Sequence, residues 1–259
     1  MSEAVAVRKV VKLDDLADAP RGPANTAAFS GDAAGELNDW LASVDAETRV
    51  RWTLRNLPGP FALSSSFGAQ AAVSLHLVAQ QDPTIPVILI DTGYLFPETY
   101  QFIESLRRQL SLNIQTFAGH QTVAEFEAQH GKLWEQGREG LDQYLEIRKV
   151  EPMRRALATL GTQTWFAGLR RSQAESRAKL NPLEVRDGRF KVHPIFDWSD
   201  RDVYLYLKAH GLPYHPLWDK GYVSIGDWHS TKALHEVESA EELRFAGLKR
   251  ECGIHGLEG

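Results

Sequence analysis

Cysteine is nearly missing from this 259-residue chain: Cys252 is the only one. No disulfide can form within the chain, so oxidative secretion gains no support, and a cluster held by four cysteines of one chain is impossible. Long apolar runs are missing as well, none approaching the roughly 20 residues that cross a membrane. The first residues include Glu3, Asp14, Asp15 and Asp18 without a continuous apolar stretch, which is no secretory signal. Positive charge is not in excess. With 29 Lys and Arg against 34 Asp and Glu, the net charge of −5 argues against general nucleic-acid affinity, yet allows a local basic pocket for a small anion. Beyond the first thirty or so residues there is no repeat or low-complexity block, and no HExxH pattern occurs. The expected compartment is the cytoplasm, with neither membrane nor nucleic acid as partner.

What is present reads as an α/β protein. Hydrophobic residues make up 43% and charged residues 24%, ordinary for a soluble globular chain of one large domain or two small ones. Residues 1–30, rich in Ala, Asp, Pro and Gly, read as a loosely ordered arm. Phe61-Ala62-Leu63-Ser64 reads as a buried strand after the Pro58-Gly59-Pro60 breaker, with an apolar helix from about Ala71 to Ala79. Pro86 to Ile90 is a continuous β-branched run of the kind found in parallel sheets covered on both faces. It delivers Asp91-Thr92-Gly93-Tyr94 to its carboxyl end, where open α/β sheets bind ligands. Pro97 suits the first turn of a helix with Phe102, Ile103 and Leu106 on its apolar side. Leu112 to Phe117 and Thr164 to Gly168 supply a third and a fourth strand. Strands separated by helical stretches predict βαβ units in a doubly wound, mostly parallel sheet. Asp187-Gly188 predicts a hairpin, and Ser199 with Asp202 predicts a capped helix ended by Gly211 and Pro213.

The chemistry gathers in a few places. Ser64-Ser65-Ser66-Phe67-Gly68, between a strand and a helix, is either a phosphate cradle of backbone N–H groups or a plain serine-rich connector. Arg170, Arg171 and Arg177 follow the fourth strand. Their guanidinium forks suit phosphate and sulfate oxygens; the alternative is a solvated basic loop. Lys149 opens another helix within reach of a phosphate, while Arg244, Lys249 and Arg250 bring positive charge near the thiol. Cys252 is either a small buried hydrophobe or a reactive group. Its charged flanks, Gly253 and the neighbours Lys249, Arg250 and His255 make the electropositive setting that favours a nucleophilic thiolate. If it passes through a sulfur-bonded state, the resolving thiol must come from another molecule. Cys252 and His255 have ligand-like spacing, but without a second cysteine no zinc site is expected. His193 and His215, each before a proline, read as turn or core residues, and Trp218 and Trp228 as candidates for a pocket wall.

From Leu63 to His255 these segments, in order, resemble the 3′-phosphoadenosine 5′-phosphosulfate (PAPS) reductases of assimilatory sulfate reduction. The similarity lies in Ser64 to Gly68, Asp91 to Thr99, Lys149 to Pro152, Trp165 to Arg171, Leu212 to Trp218, Gly221 to Asp227 and Glu251 to His255. It implies a fold like the adenine-nucleotide α-hydrolases, with a modified pyrophosphate loop at Ser64 to Gly68. Cys252 is then the nucleophile on the phosphosulfate sulfur, forming an S-sulfonate that reduced thioredoxin or glutaredoxin resolves. Ser64, Ser65, Ser66 and Gly68 would cradle phosphate, Asp91, Thr92 and Gly93 would hold the nucleotide, and Lys149, Arg170, Arg171, Arg177, Arg244 and Arg250 would bind anions. Residues 31–240 would form the nucleotide domain, and 241–259 a mobile catalytic tail closing over the pocket. The family tends to be homodimeric. Sister enzymes that use adenosine 5′-phosphosulfate (APS) carry a four-iron cluster; alignment puts Tyr144, Leu145, Asp227 and Ser230 at its ligand positions, and none is a thiolate. The resemblance therefore implies no bound cofactor, and a cluster-free APS reductase is the alternative. One departure is Ser172-Gln173-Ala174-Glu175-Ser176, where many relatives continue the arginine pair with Glu-Gln-Ser.

Overall fold

The computed structural model describes residues 19–249 and 252–254. Six strands form one sheet: β1 (Phe61–Ser64), β2 (Pro86–Asp91), β3 (Asn113–Ala118), β4 (Thr164–Ala167), β5 (Leu183–Arg186) and β6 (Arg189–Val192). Their order is β3-β2-β1-β4-β6-β5, with every neighbouring pair parallel except the β5–β6 hairpin. The hairpin turns at Asp187 and Gly188, both at positive φ, as the Asp-Gly pair predicts.

Alternate strand residues face opposite sides of a sheet. Here both sides are apolar because both are covered. Leu63, Val87, Leu89, Phe166 and Phe190 pack with helices α1 (Gly31–Ser43), α2 (Ala46–Asn56), α3 (Ala72–Ala79), α4 (Pro97–Leu110) and α8 (Asp200–Ala209). Ala62, Ile88 and Trp165 pack with Met153, Ala156 and Leu157 of α7 (Glu151–Thr159). Continuous hydrophobic strands are the signature of that arrangement. Helices α5 (Val123–His130) and α6 (Gly137–Leu145) lie between β3 and α7 in the chain. Ser199 and Asp202 form the expected capping box on α8.

Three expectations change. Lys149 does not open a helix; it lies in a π-helical turn, Glu146–Val150, that joins α6 to α7. The loose arm shortens: Ala19 packs on the core, Trp52 Nε1 donates to Pro20 O at 2.7 Å, and Asn25 caps a short 3₁₀ turn, while residues 1–18 lie outside the described residues. The boundary at residue 240 is no physical break, since Lys232 N donates to Leu243 O and Thr231 bridges Arg244 across it. Among the described residues no helix is long and apolar enough to cross a membrane.

His193 and His215 are core residues, each almost fully buried. His193 Nδ1 donates to Asn181 O, and His215 Nδ1 accepts from Leu217 N, which leaves the His215 ring neutral. Burial pushes their pKa values down to about 3 and about 4. Unfolded imidazoles take up protons near pH 6.5, whereas these do not until far lower pH. Stability is therefore full above about pH 6.5 and declines toward pH 4, by roughly 1.4 kcal/mol per pH unit for each histidine. Urea midpoints at about pH 7.5 and pH 5 check this; equal midpoints would remove the assignment.

Candidate active site

In an open parallel sheet, ligands sit beyond the carboxyl ends of the strands where the winding reverses. Here that point lies at β1, flanked by β2 and β4, and it opens into a cavity of about 550 Å³. Ser64 at the end of β1, Ser65, Ser66 and Gly68 after it, Thr92 after β2, and Arg170 and Arg177 after β4 line it. Lys149, Arg244 and Cys252 complete that set from more distant parts of the chain, and Trp218 also lines the cavity.

The serine loop is held from below. Trp165 Nε1 donates to Ser64 Oγ at 2.7 Å, Ser65 N donates to Ile88 O at 3.1 Å, and Ser65 Oγ accepts from Phe67 N at 3.1 Å. No side chain caps α3, and its N-cap residue Ala71 lines the cavity, which turns the positive end of that helix toward it. Arg170 is buried and braced: Nη2 meets Gln70 Oε1 at 2.5 Å and Asp200 Oδ1 at 2.8 Å, and Nη1 donates to Ser172 Oγ and Trp198 O. Arg244 lies so close to Gly226 that a Cβ there would stand 2.2 Å from Nη2. Glycine at 226 is what lets the guanidinium occupy its place.

Lys149 Nζ lies 2.6 Å from Asp227 Oδ2. Asp227 has no exposed surface; its Oδ1 accepts from Thr92 Oγ1 at 2.6 Å and its Oδ2 from Tyr144 OH at 2.9 Å. Burial pushes this carboxyl up, but the Lys149 ammonium and the hydrogen bonds outweigh it and leave the pKa at about 2. His229 Nε2 meets Tyr144 OH at 3.1 Å, and its ring stacks on Trp134 with centroids 3.9 Å apart. Burial lowers its pKa to about 4, so it is neutral at pH 7. Tyr144 and Asp227, assigned by alignment to cluster-ligand positions, meet in this network, and Ser230 Oγ donates to Asp227 O at 3.2 Å. Hydroxyl and carboxylate groups joined to an ammonium do not fit an iron–sulfur cluster, whose protein ligands are thiolates.

Cys252 is not exposed. It is half-buried against the group containing Tyr94, Phe126 and Tyr144, while Ile254 packs on the Met153–Trp165 group. Other expected site residues are elsewhere. Asp91 Oδ1 accepts from Gly93 N and Tyr100 OH, so it stabilises a turn rather than the cavity. Gly93 serves that turn at φ +78, where a Cβ would stand 2.5 Å from Val123 Cγ2. Arg171 Nε donates to Leu180 O, with the guanidinium over Phe196. Lys249 pairs with Asp142 at 2.6 Å, Trp228 is half exposed outside the cavity lining, and Arg250 and His255 lie outside the described residues. The Lys149–Asp227 pairing and the indole behind Ser64 carry no local sequence signal, because each partner lies in a different segment.

A serine loop, an uncapped helix end and several cations around a cavity at the switch point of a parallel sheet define a nucleotide-binding α/β protein. The chain belongs to the phosphoadenosine phosphosulfate reductase family: the family model described as the phosphoadenosine phosphosulfate reductase domain matches residues 60–233. The phosphoadenosine 5′-phosphosulfate reductase of Yersinia enterocolitica is 61% identical over 219 residues, covering 85% of this chain and 90% of that one. A crystal structure of the PAPS reductase of Candida auris, a phosphate complex, is similar with a TM-score of 0.69 and 31% identity, over 78% of this chain and 98% of that one. The FMN adenylyltransferase of Candida glabrata shares the fold alone, at 16% identity and a TM-score of 0.53, over 79% of this chain and 66% of that one.

Proposed function

We propose that this chain reduces PAPS to sulfite, releasing adenosine 3′,5′-bisphosphate, with Cys252 as nucleophile. The observation that carries the reading is that the only thiol of the chain lines the same cavity as the serine loop and the cations Lys149, Arg170, Arg177 and Arg244. The cations and the positive end of α3 would hold the phosphates and stabilise charge as it develops on the leaving group. The Cys252 thiolate attacks the sulfur of the phosphosulfate. A sulfur–sulfur bond forms, the bond from sulfur to the bridging phosphate oxygen breaks, and its electrons leave with adenosine 3′,5′-bisphosphate.

The resulting S-sulfonate needs a second thiol, and the chain has none. A dithiol protein of the thioredoxin or glutaredoxin type supplies it. One of its thiolates attacks the Cys252 sulfur and expels sulfite, and its second thiol then displaces Cys252 from the mixed disulfide. The dithiol is oxidised to a disulfide as the sulfur of the substrate gains two electrons, so the cycle requires no redox group on the chain. The half-burial of Cys252 fits transfer in a sheltered cavity, and the second half-reaction requires segment 252–254 to present the S-sulfonate to the reductant.

Mixing reduced protein with PAPS in the absence of reductant, followed by intact-mass analysis, tests the first step. The expected product is one sulfonate on the wild-type chain and none on Cys252→Ser. Bound nucleotide without an adduct would defeat the reading. Sulfite release measured with PAPS and with APS then settles substrate choice, and equal or better use of APS would replace PAPS as the assigned substrate.

A further inference from the structure

Lys149 reaches the cavity only as one half of a buried ion pair, and the other half has no part in the chemistry above. We propose that Asp227 is a positioning residue for the anion site, anchoring the Lys149 ammonium at the cavity wall and holding it there as a charged group. This inference rests on the PAPS reading of the cavity.

The geometry leaves Asp227 little freedom. Its main chain is tied down by the bridge to Leu95 and by Trp228 N donating to Tyr94 O at 2.9 Å. Its carboxylate is fixed from two further elements, by Thr92 at the end of β2 and Tyr144 on α6. Both oxygens are engaged, and Oδ2 takes the ammonium as well. Because the Tyr144 hydroxyl donates to Asp227, its oxygen accepts from His229 Nε2, which sets that ring in the Nε2–H form. A carboxylate held this way defines one position for its partner. Lys149 is itself 7% exposed, and a buried ammonium without a counter-charge gives up its proton readily.

The groups that face the pair do not change charge between pH 7 and pH 9, and Lys191, lowered by burial to about 7, lies over the Trp165 ring outside the cavity lining and is common to parent and variants. The phenols of Tyr94, Tyr100 and Tyr144 are pushed up, and His229 is pushed down to about 4. A pH-dependent affinity that arises when Asp227 is neutralised is therefore traceable to Lys149.

Calorimetric binding of adenosine 3′,5′-bisphosphate at pH 7 and pH 9 is the test, with Cys252→Ser as the parent so that the thiol adds no titration. The parent is expected to bind with affinities within about twofold at the two pH values. Asp227→Asn is expected to bind about tenfold more weakly at pH 7, with a further loss of about tenfold by pH 9. Lys149→Met should be weaker but flat with pH, and Lys149→Met/Asp227→Asn no weaker than Lys149→Met alone. Should Asp227→Asn fail to fold, the double variant, which leaves no unpaired charge, and Tyr144→Phe carry the test. Tyr144→Phe loosens the carboxylate but keeps both charges, and is expected to lose about threefold without gaining pH dependence. If the parent binds while Asp227→Asn, or Tyr144→Phe in its place, binds as tightly as the parent at both pH values, the inference falls alone. If the parent fails to bind the bisphosphate, the PAPS reading falls and takes the inference with it.

Discussion

Cys252→Ser is expected to lower the rate of sulfite release by more than about 1,000-fold, the scale on which loss of a covalent nucleophile is felt. A serine hydroxyl is a far weaker nucleophile than a thiolate near neutral pH. The second half-reaction fails independently. An O-sulfonated serine presents no enzyme sulfur for the reductant to attack, so a variant that managed transfer would still stall. The exchange of sulfur for oxygen is nearly isosteric, and the residues proposed to hold the phosphates, Arg170 with its four partners among them, are untouched. The dissociation constant for adenosine 3′,5′-bisphosphate should therefore stay within about threefold of the parent. A sulfite assay with excess reductant, run beside calorimetry, separates chemistry from binding. Retention of more than about a hundredth of the parent rate would remove Cys252 from the nucleophile's role.

The largest effect on stability is expected at Arg49, which is fully buried in α2. Its guanidinium donates to Leu41 O at 2.7 Å, Ala42 O at 3.2 Å and Pro194 O at 2.8 Å, and makes a two-pronged pair with Asp197 at 2.8 Å on each oxygen. Its face also lies 4.6 Å from the centre of the Phe196 ring. One side chain thus joins the end of α1 to the segment between β6 and α8. Arg49→Met keeps much of the apolar contact but takes the two-pronged pair from a mostly buried carboxylate and the guanidinium donors from three carbonyls. Breaking such a pair costs about 3–5 kcal/mol, a fall of roughly 6–20 °C in melting temperature for a chain of this size. Arg49→Lys should recover only part of this, since one ammonium cannot span the five acceptors. The consequence reaches the cavity, because α8 starts at Asp200, the partner of Arg170. A melting temperature unchanged in Arg49→Met would show that the segment is held by its apolar contacts instead.

Sequence determined a good deal of this protein. Runs such as Pro86–Ile90 are apolar at every position because both sheet faces are covered, so they are legible without knowing what covers them. The turn at Asp187-Gly188 and the cap at Ser199 are local chemistry, written in adjacent residues. A single cysteine is a fact of composition, and it requires that any resolving thiol come from elsewhere. The serine loop could be placed at a strand end because a strand and a helix can be recognised on either side of it.

Direction and partnership were decided only by the tertiary structure. Arg170 and Arg171 are indistinguishable as a charged pair, yet Arg170 has extended backbone, where neighbouring side chains point to opposite sides. Arg170 enters the cavity and Arg171 turns beneath Phe196. Arg148 and Lys149 part in the same way, the arginine toward the carbonyls of Thr92 and Gln121 and the lysine toward the cavity. Asp227 shows the physical reason most clearly. Whether a carboxylate is a solvated charge or the buried anchor of an ammonium depends on dielectric and on partners brought from three other parts of the chain. Those are properties of the packed fold, and a one-dimensional pattern of residue types does not contain them.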